Sequence, residues 1–157
     1  MSTLVDPYLI KLNSIELELP DLARKAIINN SSEIVLLVKS QLSHGLHSDG
    51  GYLTHEFGNG FYAESTQSYA DSDNVRTPKV FGSLYNFSWT GETLDNLQMG
   101  NINNSEFNVT TVAYKKKLLE DIYGEIFDLT EEHNQYVNIE IILPILQQYI
   151  LDNLVKL

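Results

Sequence analysis

The sequence contains no cysteine and few basic residues, and each shortage excludes a class of function. Without cysteine the chain has no disulfide, no thiol nucleophile and no thiolate metal site, which fits a reducing compartment. Ten Lys and Arg stand against 21 Asp and Glu, so the formal net charge is -11. Such an acidic chain lacks the basic surface that binds a phosphate backbone, and specific nucleic-acid binding is not expected.

Long apolar runs are also missing. No run approaches the roughly 20 apolar residues of a membrane-spanning helix, and the first residues, Met-Ser-Thr-Leu-Val-Asp-Pro, are too polar for a signal peptide. We therefore expect no membrane contact and a protein that stays inside the cell. The 157 residues, 43% hydrophobic and 20% charged, predict a single domain, 1–157, with a buried core.

Glycine divides the chain into three zones. Residues 1–43 contain none, residues 44–113 hold eight of the nine glycines, and residues 114–157 hold only Gly124. Long aliphatic and charged residues dominate both outer zones, which predicts helices there. The pattern predicts an α+β fold with an N-terminal helical region, a small antiparallel sheet with a long loop, and C-terminal helices.

Capping residues predict the helix boundaries of the first zone. Pro20 indicates the start of one helix, and Ser31 or Ser32 can cap a second helix over 33–43. Gly45 stands where a left-handed residue closes a helix. The apolar residues expected on the buried side of the second helix are Val35, Leu36, Val38 and Leu42.

The middle zone predicts loop and strands. Residues 50–78 cluster Gly, Ser, Asn, Asp and aromatic residues without a sustained period, which is typical of a long loop. From Val80 onward apolar residues alternate with polar ones, which indicates strands, and 101–105 is the expected hairpin connection between the last two.

The third zone predicts helices. A helix follows Lys115 and closes at Gly124, and Thr130 is placed to cap the next one. The strongest helical period of the chain runs from Ile142 to Leu157, which predicts a packed amphipathic helix that bends or begins near Pro144.

Three histidines offer the only residues that resemble a metal site. His44, His47 and His55 lie close in sequence, and a metal ion needs three or four such donors converging at about 2 Å. The competing interpretation is a helix end where histidine complements the negative dipole. A small metal-dependent enzyme therefore stays as an alternative function. No catalytic motif or phosphate-binding loop occurs, so we assign no catalytic, cofactor-binding or metal residues and expect no cofactor.

Aromatic residues of the middle zone are the candidate contact residues. The segment has too little regular structure to bury them all, and aromatic side chains are enriched at protein interfaces. We expect neighbouring subunits to shape this segment; the other interpretation is a loop folded over its own sheet. The predicted protein-interaction residues are Tyr52, Phe57, Phe61, Tyr62 and Tyr69.

Several segments occur in an order known from one family. Residues 34–50 look like the pattern QL-x-x-G-(I/L)-x-x-D-G, 89–97 resemble (D/W)-T-G-x-(F/L)-x-x-(S/N)-(F/L), and 123–132 are similar to YG-x-x-I-(F/L)-x-L-T-x-E. A strand near 107–113 lies between the last two, and a C-terminal helix closes the pattern. In these features the chain resembles small virion proteins of tailed bacteriophages, notably those that infect Bacteroidetes.

The resemblance implies a non-enzymatic structural virion protein. It would be a ring-forming head-tail connector (neck) or tail-completion subunit that joins the portal or head to the tail. Its partners would be further copies of itself and portal, adaptor or tail subunits, and its location the neck or tail of a virion assembled in the host cytoplasm. DNA would pass through the ring without specific binding, since a wall of negative charge repels the duplex. A monomeric cytoplasmic adaptor is the remaining alternative.

Overall fold

The computed structural model describes residues 7–54, 58–103 and 106–154. The chain begins with helix α1 (Pro7–Asn29), and Pro20 lies inside it. The prediction that a helix starts at Pro20 is therefore wrong by thirteen residues. Proline removes one backbone hydrogen bond within a helix, but packing of both flanking turns can offset that loss. Here Ile15, before the proline, and Ile27, after it, are both buried.

Helix α2 (Ser31–Ser43) follows after a break at Asn30. The predicted cap residues Ser31 and Ser32 lie inside the helix, so the prediction of a helix over 33–43 starts it two residues too late. The Asn30 side chain donates a hydrogen bond to the carbonyl of Ala26 across 2.8 Å, which closes the last turn of α1. Gly45 takes the expected left-handed conformation with φ of 74°. Leu36 was expected on the buried side but is 61% exposed. The buried residues of α2 are Ile34, Val38, Gln41 and Leu42.

The sheet is a single antiparallel pair in the described residues. Strand β1 (Leu97–Ile102) pairs with β2 (Phe107–Thr111), and a bulge interrupts the register after Met99. The predicted hairpin and the α+β class are confirmed. The alternating residues after Val80 form no strand in the described part of 58–96; they contribute only one isolated bridge, between Phe61 and Leu84.

The middle zone contains two helices that the sequence did not predict, α3 (Glu64–Ser72) and the single turn α4 (Glu92–Asp95). Helix α3 lacks an apolar period, since Ala70 is its one buried residue. Contacts with the rest of the zone hold it instead: the Gln67 side chain accepts a hydrogen bond from the backbone N–H of Phe81 across 2.7 Å.

The C-terminal zone is helical, as predicted. Helix α5 (Lys116–Tyr123) ends at Gly124 with φ of 76°, and Thr130 caps α6 (Glu131–Tyr136) by accepting a hydrogen bond from the His133 N–H. A π-helical stretch (Val137–Ile142) leads without a break into α7 (Leu143–Leu154). This change of helix type lies just ahead of Pro144, where the sequence predicts a bend or a start.

The core forms around α2 and draws on all three zones. Ile34, Val38 and Leu42 are completely buried. The other buried members of this cluster are Ile27, Leu53, Leu94, Leu97, Val109, Ile126, Phe127, Leu129, Val137 and Ile141. Throughout the described part of the chain, no helix combines the length and apolar character needed to cross a bilayer.

Candidate protein-interaction site

The middle zone is fixed at the end of α2 by a close approach of two backbone segments. A Cβ atom at Gly45 would lie 2.5 Å from the carbonyl oxygen of Tyr85 and 2.9 Å from the Cβ of Leu84. The carbonyl of Gly45 also accepts a hydrogen bond from the N–H of Leu53 across 2.8 Å. Position 45 therefore requires glycine for two reasons: its φ is positive, and a Cβ atom would clash with 84–85.

Three of the predicted contact residues lie on the surface, in two separate pairs. The ring of Tyr52 meets that of Phe61 edge-on with centroids 5.7 Å apart, and both side chains are exposed. Tyr69, also exposed, lies on Trp89 at 5.9 Å. The position of Trp89 is fixed, because its indole N–H donates a hydrogen bond to the carboxylate of Asp73 across 2.8 Å. The fourth predicted residue, Phe57, lies outside the described residues.

Tyr62 occupies the interior and not the surface on which it was expected. It is 8% exposed, and its ring packs on Tyr85 with centroids 5.1 Å apart. Its hydroxyl donates to the carbonyl of Asn86 and accepts from the N–H of the same residue, both across 2.9 Å. Burial raises the pKa of the Tyr62 hydroxyl. Tyr62 is therefore a residue that holds the middle zone together.

Lys79 is a buried amine that sequence reasoning missed. It is 1% exposed, its Nζ donates to the side-chain oxygen of Asn86, and it lies 5.4 Å from the centroid of the Tyr62 ring. Burial lowers its pKa to about 8. Nothing in the local sequence Pro78-Lys79-Val80 distinguishes this lysine from a solvated one, because its burial comes from segments distant in the chain.

An ion network closes the other side of the middle zone. Asp95, in α4, accepts a hydrogen bond from Lys39 of α2 across 3.0 Å and also binds Arg76. Lys39 and then Arg76 hold the pKa of the Asp95 carboxyl below its usual value. The described part of the middle zone is thus held by contacts within the chain.

A groove of about 470 Å³ runs between α2 and β1. Apolar side chains of Val35, Leu36 and Met99 line it, and the Lys39–Asp95 pair stands at its wall. Asp95 is the one carboxylate among the described lining residues. Because that carboxylate is already paired with two cations, the groove offers no pair of free acids for acid-base chemistry.

The histidines bind backbone groups. His47 Nδ1 accepts from the N–H of Asp49 across 3.2 Å, so its Nε2 carries the proton and donates to the carbonyl of Tyr123 across 2.9 Å. His44 Nδ1 lies 2.7 Å from the carbonyl of Ser40. His55 lies outside the described residues. Within 7–54, 58–103 and 106–154, no group of three His, Cys, Asp or Glu is placed to hold a metal ion.

Helices α1 and α7 form an antiparallel pair. The Nζ of Lys11 donates to the side-chain oxygen of Asn153 across 3.0 Å, and the Tyr149 hydroxyl donates to Glu18. The sequence predicts that α7 is well packed, but none of its described residues from 143 to 154 is buried. One side is half-buried against α1, whereas Leu151 and Leu154 are exposed.

Comparison of the chain with protein-family models finds no match, and comparisons with curated proteins and with solved structures find none either. The candidate surfaces are therefore defined by the chain's own geometry. They are the two aromatic pairs, the groove between α2 and β1, and the helix pair of α1 and α7.

Proposed function

We propose that this chain is a structural subunit of a tailed-phage virion, a ring-forming head-tail connector (neck) or tail-completion protein that joins the portal or head to the tail. Its work is assembly: it binds further copies of itself and neighbouring virion proteins, and performs no reaction. Its place is the neck or tail of the particle, and DNA passes through the ring without specific contacts.

Large exposed apolar side chains carry this proposal. Among the described residues, Leu17 is 80% exposed, Tyr114 76%, Tyr69 66% and Leu151 57%. Apolar surface of this kind marks the places where a protein is covered by other proteins.

The segments that carry the resemblance to phage virion proteins contact one another, which supports the proposal. Gln41 binds backbone groups of 128 and 130, and His47 binds the carbonyl of Tyr123. Leu94 and Leu97, from the segment 89–97, lie in one core cluster with Ile34 and Ile126 from the other two segments. The matching residues thus occupy positions on which the fold depends.

Contacts with the other virion proteins are assigned to the two aromatic pairs, in which Tyr52, Phe61 and Tyr69 are exposed and Trp89 is half-buried. Tyr52 with Phe61, and Tyr69 with Trp89, present rings whose positions are already fixed by packing and by the Trp89–Asp73 hydrogen bond. Rings held in place lose little conformational entropy on binding, which is the property of interface hot spots.

Electron microscopy tests the proposed function. The purified chain, alone and mixed with the portal protein of its phage, is imaged for closed rings, and particles carrying a gold-labelled copy are imaged for label position. Rings and label at the head-tail junction are the expected result. Purified particles that lack the chain, or stoichiometric zinc, nickel or iron in the protein by elemental analysis, would contradict it.

A further inference from the structure

We infer that helices α1 and α7 together form the surface through which one copy of this chain binds a second copy. The inference rests on the proposed function and deepens it, because it names where the subunits of the ring meet. Three observations carry it: the exposed apolar side chains of α1, the composition and exposure of α7, and the distribution of charge.

The start of α1 exposes several large apolar side chains. Residues 7–12 are apolar except for Lys11, whose amine binds Asn153 of α7. Leu9, Ile10 and Leu12 are all exposed, and Leu17 further along the helix is 80% exposed. Exposed apolar side chains grouped in this way mark a surface that another protein covers.

A stripe of apolar residues along α1 leads to the same conclusion. Leu12, Ile15, Leu19, Leu22 and Ala26 are spaced alternately by three and four residues, which places them in one stripe along the helix. Ile15 and Ala26 are buried, whereas Leu12, in the same stripe, is exposed. The stripe thus continues beyond the part that the chain covers with its own residues.

Helix α7 has the composition of a core helix without the burial of one. Asp152 is its one charged residue, and two thirds of its twelve residues are apolar or aromatic. None of the described residues of α7 is buried, and Leu143, Ile145, Leu151 and Leu154 are all exposed. An amphipathic helix normally gains most of its stability from tertiary packing, and α7 obtains only a half-buried face against α1.

A second copy is the occupant that supplies this packing. Two helices form a layer without an interior, and an apolar face packed on that layer provides one. Because a ring closes through unlike surfaces, α1 of one copy contacts α7 of the next.

Charge identifies the same surface. The whole chain carries -11, so two copies repel each other over most of their surface. In α1 three bases (Lys11, Arg24, Lys25) balance three acids (Glu16, Glu18, Asp21), and α7 adds only Asp152. The helix pair therefore has a net charge of -1, out of -11 for the whole chain. Two identical acidic chains repel each other least when they approach through this surface.

Light scattering on the full-length chain tests the inference. The helix-pair variant combines Leu17→Arg and Leu151→Arg, whose side chains are 80% and 57% exposed. The control variant combines Val112→Arg and Leu118→Arg, which are 63% and 55% exposed and lie outside α1, α7 and the groove between α2 and β1. Both variants make the chain less negative by the same amount, so weaker association of one cannot arise from added net repulsion.

Circular dichroism checks that the fold is retained. The milder pair Leu17→Gln and Leu151→Gln repeats the test if the arginine variant does not fold.

The wild type is expected to show a mass of two or more chains over about two decades of concentration. The helix-pair variant is expected to dissociate with a constant raised about 100-fold, while the control keeps the wild-type mass. An oligomer that the helix-pair variant leaves intact, or that both variants dissociate equally, overturns the inference and leaves the ring proposal standing. A closed dimer that only the helix-pair variant dissociates supports the inference and contradicts the ring. A wild type that is monomeric throughout overturns both.

Discussion

The side chain of Gln41 accepts a hydrogen bond from the backbone N–H of Thr130 across 3.0 Å and donates one to the carbonyl of Asp128 across 2.9 Å. Gln41 is 1% exposed, so both backbone groups are satisfied in the interior where water does not replace the bond. This amide joins α2 to the residue that caps α6. Gln41 therefore links the N-terminal and C-terminal zones through two buried hydrogen bonds.

Replacing Gln41 by Leu should therefore destabilise the protein. The substitution keeps the volume but leaves a buried N–H and a buried C=O without partners, at a cost of about 2 to 4 kcal/mol in the free energy of unfolding. Urea denaturation followed by circular dichroism measures the change. Gln135→Leu is the control: Gln135 bonds Glu131 on the exposed side of α6, and its loss should change stability by at most about 0.5 kcal/mol. Equal effects of the two substitutions would refute the role of Gln41.

Much of the fold follows from local signals in the sequence. The left-handed Gly45, the cap at Thr130 and the hairpin between β1 and β2 are all set by residues within a few positions of the feature. Capping and turn residues act on their own backbone, so the pattern alone predicts them.

The failures of prediction share one cause, which is contact between distant segments. Helix α3 has no apolar period, and α1 continues through Pro20 because turns on both sides of the proline are packed. The same is true of the candidate site. Tyr52 and Tyr69 are exposed, and their role in protein contacts stays a prediction. The burial of Tyr62 and Lys79 depends on their approach to Asn86, which no local pattern encodes.

Gly45→Ala should cost substantially more stability than the same change at Gly82. Both glycines have a positive φ, of 74° and 75°, so the backbone strain of about 1 kcal/mol is common to both. A Cβ at Gly82 meets nothing within 4 Å, whereas a Cβ at Gly45 meets the Tyr85 carbonyl and Leu84. We expect Gly45→Ala to add about 2 kcal/mol or more beyond the shared strain.

Thermal and urea unfolding of the two alanine variants gives this difference directly. Because the strain is shared, the difference isolates the steric contact at the end of α2. If Gly82→Ala proves as destabilising as Gly45→Ala, the close approach of 84–85 to Gly45 is not present in solution.

Tyr62→Phe should lower stability, whereas Tyr69→Phe should not. Removing the Tyr62 hydroxyl leaves the N–H and C=O of Asn86 without their partner, which costs about 1 to 3 kcal/mol. Tyr69 is exposed and packs on Trp89 through its ring, which phenylalanine retains. The measurement is the midpoint of urea unfolding, together with binding of each variant to the portal or tail protein. A Tyr62→Phe variant as stable as the wild type would show that the two hydrogen bonds of the Tyr62 hydroxyl do not stabilise the folded protein.

Lys79 should make stability rise with pH above neutrality. Burial lowers its pKa from 10.5 to about 8 in the folded chain. Between these two values the unfolded chain binds more protons than the folded one, so the free energy of unfolding increases as pH rises from about 8 towards 10.5. Below about pH 8 Lys79 is protonated in both the folded and the unfolded chain, so the desolvation of its buried ammonium group lowers the free energy of unfolding by the full amount. The raised pKa values of Tyr62 and Tyr123 act in the opposite direction at high pH, so the effect must be measured as a difference between variants.

Lys79→Met provides that difference, because it keeps the length of the side chain and removes the titration. Relative to Lys79→Met, the wild type should gain about 2 kcal/mol of unfolding free energy between pH 7.5 and 9.5, measured by urea denaturation at each pH. Lys117→Met, at an exposed position, controls for the loss of one positive charge and should follow the wild type. Parallel pH profiles for the wild type and Lys79→Met would show that the amine of Lys79 is solvated in the folded protein. The polar contacts around Asn86 would then not be what holds the middle zone together.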